Sequence, residues 1–216
     1  LGVVPLGTLL SLLAAVTMNQ GIKGQTIFRT LYFLPTVTSG IAVALLWVWL
    51  YNYQYGLINY LLASIGLPKI SWLGDPRFAM PAIIIMSIWR GLGYNMILFL
   101  AGLQSIPQEY YEAAKIDGAN RWQSFRHVTV PLISPTTFFI VVLSLIGSFQ
   151  VFEATYVMTQ GGPFYSTYTL VLLIFFQAFH WFRMGYASAI AWFMFAVVFV
   201  LTLLVWKVGG RVVTYE

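Results

Sequence analysis

The chain has 216 residues, 60% hydrophobic and only 8% charged, with a net charge of +5. A soluble domain carries about a quarter charged residues, so this composition belongs to a bilayer. The absence of cysteine excludes a disulfide framework, thiol chemistry and thiolate metal sites. In so apolar a chain, a basic excess reads as the positive-inside bias rather than as nucleic-acid binding.

Leu1 to Met18 is apolar and long enough to be most of a membrane span. The chain opens inside this run and without Met, which reads as a missing N-terminus. Asn19 to Thr30, with Lys23 and Arg29, reads as a cytoplasmic turn. Leu31 to Tyr51 is the next span; Pro35 lies in its first turns, and Trp47, Trp49 and Tyr51 form an aromatic belt at its end. Asn52 to Arg77 is a mixed outer loop whose middle, Gly56 to Ile65, suits a short interfacial helix. Phe78 to Leu103 is the third span, interrupted by Gly91 and Gly93. Thr136 to Met158 is the fourth, Thr159 to Pro163 a turn, and Tyr186 to Trp206 the last, followed by Lys207 and Arg211.

Ser166 to Phe182 is apolar but only about 17 residues long, the lower limit for a span. If it does not cross, Lys23, Arg29, Lys115, Arg121, Arg126, Lys207 and Arg211 share one side, and only Lys69, Arg77 and Arg183 the other. That asymmetry favours a helix lying on the outer face, and places 104–135 and the C-terminus in the cytoplasm. No linker divides the chain, so 1–216 reads as one transmembrane domain.

Between the third and fourth spans, Gln104 to Pro135 is the one long segment too polar for lipid, with over a third of all charged residues. Pro107 suits a helix's first turn, with Glu109 at its positive end. No breaker falls between Gln108 and Asp117, and Gly118 is a C-terminal cap. Asn120 can cap a second helix running to about His127, before Pro131 and Pro135 stop it. Tyr110, Ala113, Ala114 and Asp117 share one face of the first helix, where two small residues admit close approach of another protein. The plain alternative is a solvated connector.

Glu112-Ala113-Ala114, then Gly118, then Val128-Thr129-Val130-Pro131, resembles the Glu-Ala-Ala loop of permease subunits in binding-protein-dependent ABC importers. Val130 stands where the family pattern has Leu. Thr30 to Pro35, Trp89-Arg90-Gly91, Leu100 to Pro107, Thr159 to Pro163 and Gly185 to Ala189 extend the resemblance to the sugar-importer branch. The resemblance implies an all-helical membrane bundle, the type I importer fold. Five spanning helices would lie in this chain, with the first of a six-helix core upstream of Leu1.

It also implies partners: two ATPase subunits, a second and different permease, and an external solute-binding protein, with no nucleic acid. ATP and Mg would be held by the ATPases, this chain carrying no cofactor, no metal and no catalytic residue of its own. By the same resemblance the first loop helix docks on an ATPase, with Glu112 and Gly118 at the contact. Glu112 would sit at the rim of the contact, and Tyr110, Ala113, Ala114 and Asp117 are the other candidate coupling residues. The setting is the cytoplasmic membrane of a bacterium or archaeon.

Arg90 and Glu153 are the ionisable residues within the spans, where such groups face a bundle interior or a wet cavity. Counted from the outer ends, they lie roughly 18 Å and 8 Å deep, so a direct pair requires Arg90 to reach outward. Ser87, Tyr94 and Asn95 put a polar stripe on the third span, and Gln150 lies one turn from Glu153. Aromatic faces with scattered hydrogen-bonding groups suit a sugar, so Ser87, Tyr94, Asn95, Gln150 and Glu153 are the candidate substrate path. The alternatives are an importer permease for a non-sugar solute, or a stand-alone channel or secondary transporter. The latter often carries internal repeats and needs ion-coupling residues, whereas here no repeat is evident and only two charges lie within the spans.

Overall fold

The computed structural model describes residues 2–20 and 24–209, which form helices and loops with no strand among them. Leu1, Lys23 and Arg211, used in the sequence reading, lie outside the described residues. The helices are α1 (Val3–Met18), α2 (Gln25–Val37), α3 (Gly40–Leu50), α4 (Leu57–Ser64), α5 (Pro76–Gln104) and α6 (Gln108–Ile116). They continue with α7 (Arg121–Leu132), α8 (Ser134–Phe149), α9 (Glu153–Met158), α10 (Leu170–His180) and α11 (Met184–Gly209).

Helix α5 is the spine. Asp75 caps it by accepting from the Arg77 N–H at 2.8 Å, and Pro76 sits where a missing N–H costs nothing. Its 29 residues make it roughly 43 Å long. Contrary to the expected interruption, it runs unbroken through Gly91 and Gly93. Gly93 is needed for packing rather than bending: a Cβ there would overlap the Tyr32 carbonyl of α2. At Gly102 a Cβ would press on Thr136 of α8, 3.1 Å from its Cβ. Within a membrane, where lipid is as apolar as leucine, such close approach is what holds helices together. Helix α1 also lies along α5, with the Ser11 hydroxyl donating to the Leu92 carbonyl at 3.3 Å.

The span expected over Leu31 to Tyr51 is not one helix. Helices α2 and α3 meet at 100°. Pro35 has no N–H to offer its own turn, and Thr38 is extended at φ −77°, ψ 147°. The Thr38 hydroxyl donates back to the Leu34 carbonyl at 2.8 Å, taking up a helix-end acceptor. Helix α2 also begins at Gln25, inside the stretch expected to be a turn. The fourth span divides likewise: α8 ends at Phe149, residues 150–152 are not helical, and α9 starts at Glu153. Only α5 and residues Met184–Lys207 are, among the described residues, long and apolar enough to cross a membrane unaided. Each bent pair, α2 with α3 and α7 with α8, supplies a further candidate.

The loop after α3 is organised by Asn59 on α4, which is fully buried. It accepts from the Ile70 N–H and the Trp72 indole and donates to the Ile70 carbonyl at 2.9 Å. Helix α4 matches the short helix expected there to within a residue at each end. The 159–169 turn is held by threonines: Thr159 and Thr167 hydroxyls lie 2.6 Å apart, and Thr169 donates to the Val151 carbonyl at 3.0 Å. Burial raises the Tyr168 phenol pKa, with Tyr165 adding to the shift, so it stays neutral at physiological pH. Helix α10 covers only Leu170–His180 of the expected Ser166 to Phe182 and is roughly 16 Å long. That is short of the roughly 30 Å hydrocarbon thickness.

Two buried clusters result. One, at the polar-loop end, joins Ala15 and Met18 of α1, Met96, Phe99 and Leu103 of α5, Ile140 of α8, and the loop residues Ile106 and Ile133. The other, at the opposite end, joins Val43 and Trp47 of α3, Ala82 and Met86 of α5, and Ala154 and Met158 of α9. Gly93→Ala should lower stability by about 1–3 kcal/mol through overpacking against α2. Gly147→Ala, with open space around it, should match or exceed the parent by about 0.5–1 kcal/mol. Thermal unfolding of the purified protein in detergent checks both, and equal effects would contradict the packing argument.

Candidate functional site

The polar loop folds as two short helices meeting at a sharp corner. Helix α6 ends in a Schellman turn: the Gly118 N–H donates to Lys115 and the Ala119 N–H to Ala114, at 3.1 and 2.9 Å. Gly118 is left-handed at φ +79°, as its assignment as a cap requires. Asn120 then caps α7 in a reciprocal box, accepting from the Gln123 N–H at 2.9 Å while Gln123 accepts from the Asn120 N–H at 2.8 Å. Helix α7 does not stop before Pro131. A π-helical turn over Phe125–Thr129 carries the chain on to Leu132, and the 63° bend into α8 follows at Ile133.

The corner encloses an open groove of about 500 Å³. Tyr110, Ala113, Ala114, Asp117 and Gly118 line one wall, and Gln123, Ser124, His127 and Val128 the other. The face expected from helical spacing is therefore the face presented. Glu112 departs from it: it lines a separate hollow with Asn19, Gln108, Tyr111 and Lys115. On a helix, residue 112 lies about 200° from 110 and from 114, so it cannot share their wall.

The loop is not slack. The Tyr111 and Thr129 hydroxyls are 3.1 Å apart and tie α6 to the π-helical turn of α7. Tyr111 and Leu132 also pack on the buried cluster at this end of the bundle.

The second site is a cleft of about 670 Å³ between α5, α8 and the start of α9. All five candidate path residues line it: Ser87, Tyr94, Asn95, Gln150 and Glu153. Thr36, Ser144, Ser148 and Arg90 line it too. Ser144 and Ser148, one turn apart on α8 and flanking Gly147, were a readable polar stripe of the same kind as that on α5. Among the described residues the cleft's only charged ones are Arg90 and Glu153, and they pair, Nη1 to Oε2, at 3.2 Å. The break at residues 150–152 frees Glu153 from α8 and allows the contact that a straight-helix count made difficult. Both side chains lie against Gly40, where a Cβ would collide with the Glu153 carboxylate and come within 2.7 Å of the guanidinium. The Thr36 hydroxyl donates to the Arg90 carbonyl at 3.0 Å, joining α2 to the same point of α5.

Residues 7–212 match the family described as binding-protein-dependent transport system inner membrane component. The chain belongs to that family. It is 41% identical over 217 residues to the probable ABC transporter permease protein YesP of Bacillus subtilis, a match covering 99% of this chain and 70% of that one. It is 38% identical to the trehalose/maltose transport system permease protein MalF of Thermococcus litoralis, covering 95% and 70%. The fold matches a chain of a bacterial alginate ABC transporter, solved in complex with a periplasmic protein bound to an alginate pentasaccharide. The TM-score is 0.88 at 28% identity, over 99% of this chain and 75% of that one. The all-helical bundle expected from the sequence is thus a type I importer permease, a transport subunit rather than an enzyme.

Removing the α7 cap isolates the loop's local order. Asn120→Ala should cost about 1 kcal/mol and speed amide exchange at Gln123 several-fold. Hydrogen exchange resolved over 108–132 checks this; unchanged protection would show that the box does not order the corner.

Proposed function

We propose that this chain moves a carbohydrate or related polyol across the cytoplasmic membrane of a bacterium or archaeon as a multi-pass permease. It pairs with a second, different permease and receives solute from an external binding protein. Two ATPase subunits carry ATP and Mg and drive the cycle. Support for the carbohydrate comes from the trehalose/maltose and alginate relatives and from the cleft itself. Apart from one neutralised ion pair, the cleft's polar side chains are uncharged hydroxyl and amide groups, suited to a ligand rimmed with hydroxyls.

The observation that carries the coupling role is the groove at Gly118. Its alanine-lined wall admits a partner closely, and the groove is built on a corner braced against the bundle core. An ATPase seated there pushes on α6 and α7, and the braced corner passes the motion to α5 and α8.

Gly118→Val puts a β-branched residue at positive φ, costing about 1 kcal/mol or more in the corner. Membrane insertion should stay near the parent, because the spanning helices satisfy their own backbones. Stimulation of ATPase activity by ligand-loaded binding protein, measured for the whole complex in proteoliposomes, should fall several-fold. Glu112→Ala, outside the groove wall, should be milder. A Gly118→Val complex that assembles, hydrolyses ATP on stimulation and transports like the parent would refute the coupling role.

Topology has its own test. A cysteine replacing Arg121 should react with an impermeant thiol reagent only from the cytoplasmic side, and labelling from outside intact cells would invert the proposed orientation.

A further inference from the structure

Arg90 occupies the middle of the cleft rather than its rim. Ser87 lies roughly one turn along α5 toward the outer loop, and Tyr94 roughly one turn toward the polar loop. Both backbone breaks reach this level. Gly40 starts α3 just after the break at Thr38 and Ser39, and Glu153 starts α9 just after the break at 150–152. The pair therefore adds a side-chain link between unbroken α5 and the α8–α9 corner, beside the Gly40 start of α3 and the Thr36 bond that ties α2 to the Arg90 carbonyl. Among the described residues no other charged side chain lines the cleft to replace either partner. Gly40 leaves the space the pair fills, since any side chain there would displace the carboxylate.

Resting on the importer reading above, we propose that the Arg90–Glu153 pair, seated on Gly40, is a movable barrier across the solute path. Closed, it separates the outer part of the cleft at Ser87 from the inner part at Tyr94, Asn95 and Ser144. Solute passes when the α2–α3 and α8–α9 corners swing apart and the pair breaks. A charge pair suits this role better than an apolar plug. Its hydrogen bond forms only at contact distance, and each partner can turn to the hydroxyls of a passing solute while they are apart. The half-buried setting in this chain leaves both groups with free hydrogen-bonding capacity: Arg90 uses one nitrogen on Glu153, and Glu153 one oxygen on Arg90.

The test uses the complete complex in right-side-out membrane vesicles without the binding protein. Ser144→Cys provides a reporter on the inner side of the barrier, in a chain with no native cysteine. An impermeant maleimide is applied from outside, and each rate is taken relative to the same protein solubilised in detergent, so a misfolded variant does not count as open. The parent should label slowly. Arg90→Gln, Glu153→Gln and Gly40→Val should each raise the relative rate several-fold. The exchanged pair, Arg90→Glu with Glu153→Arg, should return it toward the parent, because attraction is restored with the charges swapped. Equal rates in the parent and the single variants would overturn the proposal, as would an exchanged pair that labels as fast as the single variants. The readout involves neither ATP hydrolysis nor transport, so its failure is separate from failure of the importer reading, which is judged by stimulated ATPase activity of the parent complex.

Discussion

Close backbone contact with α5 is the constraint on which the rest of the molecule depends. Lipid supplies no hydrophobic drive to bring helices together, so attraction must come from tight packing and hydrogen bonds between them. Gly93 brings α5 onto the Tyr32 carbonyl of α2, and Gly102 brings it onto Thr136 of α8. Ser11 and Thr36 add hydroxyl bonds from α1 and α2 to carbonyls of the same helix. A broken helix is tolerable beside such a spine. The exposed backbone ends at Thr38 and Val151 find hydroxyl partners or face the cleft rather than lipid.

The same spine divides the bundle into two packed ends with a polar level between them. At one end the loop corner is part of the core, because Ile106 and Ile133 are buried with Phe99, Leu103 and Ile140. At the other, α3 and α9 pack on the N-terminal half of α5 through Trp47, Ala82 and Met158. Between them lie the Arg90–Glu153 pair and the hydroxyl-lined cleft. On the proposed coupling role, force entering at the groove would meet stiff packing first and the proposed barrier second.

Local features were legible in the sequence and tertiary ones were not. The Gly118 cap and the Asn120 cap depend on residues within one turn, and both formed as read. The shared face of Tyr110, Ala113, Ala114 and Asp117 follows from helical geometry alone and lines the groove. The breaks at Thr38–Ser39 and at 150–152 were hidden because both sides are apolar enough to continue a span; at the first, Pro35 and the Thr38 hydroxyl act locally, whereas at the second the contacts are tertiary, Glu153 reaching Arg90 and Thr169 bonding Val151. Gly40 carried no local signal beyond following two hydroxyl residues; its role is visible only once Arg90 and Glu153 lie against it. The π-helical turn that carries α7 past Pro131 is likewise invisible to a rule that stops helices at proline.

The central claim is that the loop corner and the inner half of the bundle move as one body. Spin labels on cysteines replacing Ile116, exposed at the end of α6, and Phe139, exposed on α8, span that body without touching groove or cleft. Their separation should be measured by pulsed electron resonance in the complete complex, at rest and with ATP trapped on the ATPases. The account predicts one narrow distance distribution that does not shift between the two states. A distribution that broadens or moves by several ångströms on ATP trapping would show the corner swinging on its own, and would contradict the account.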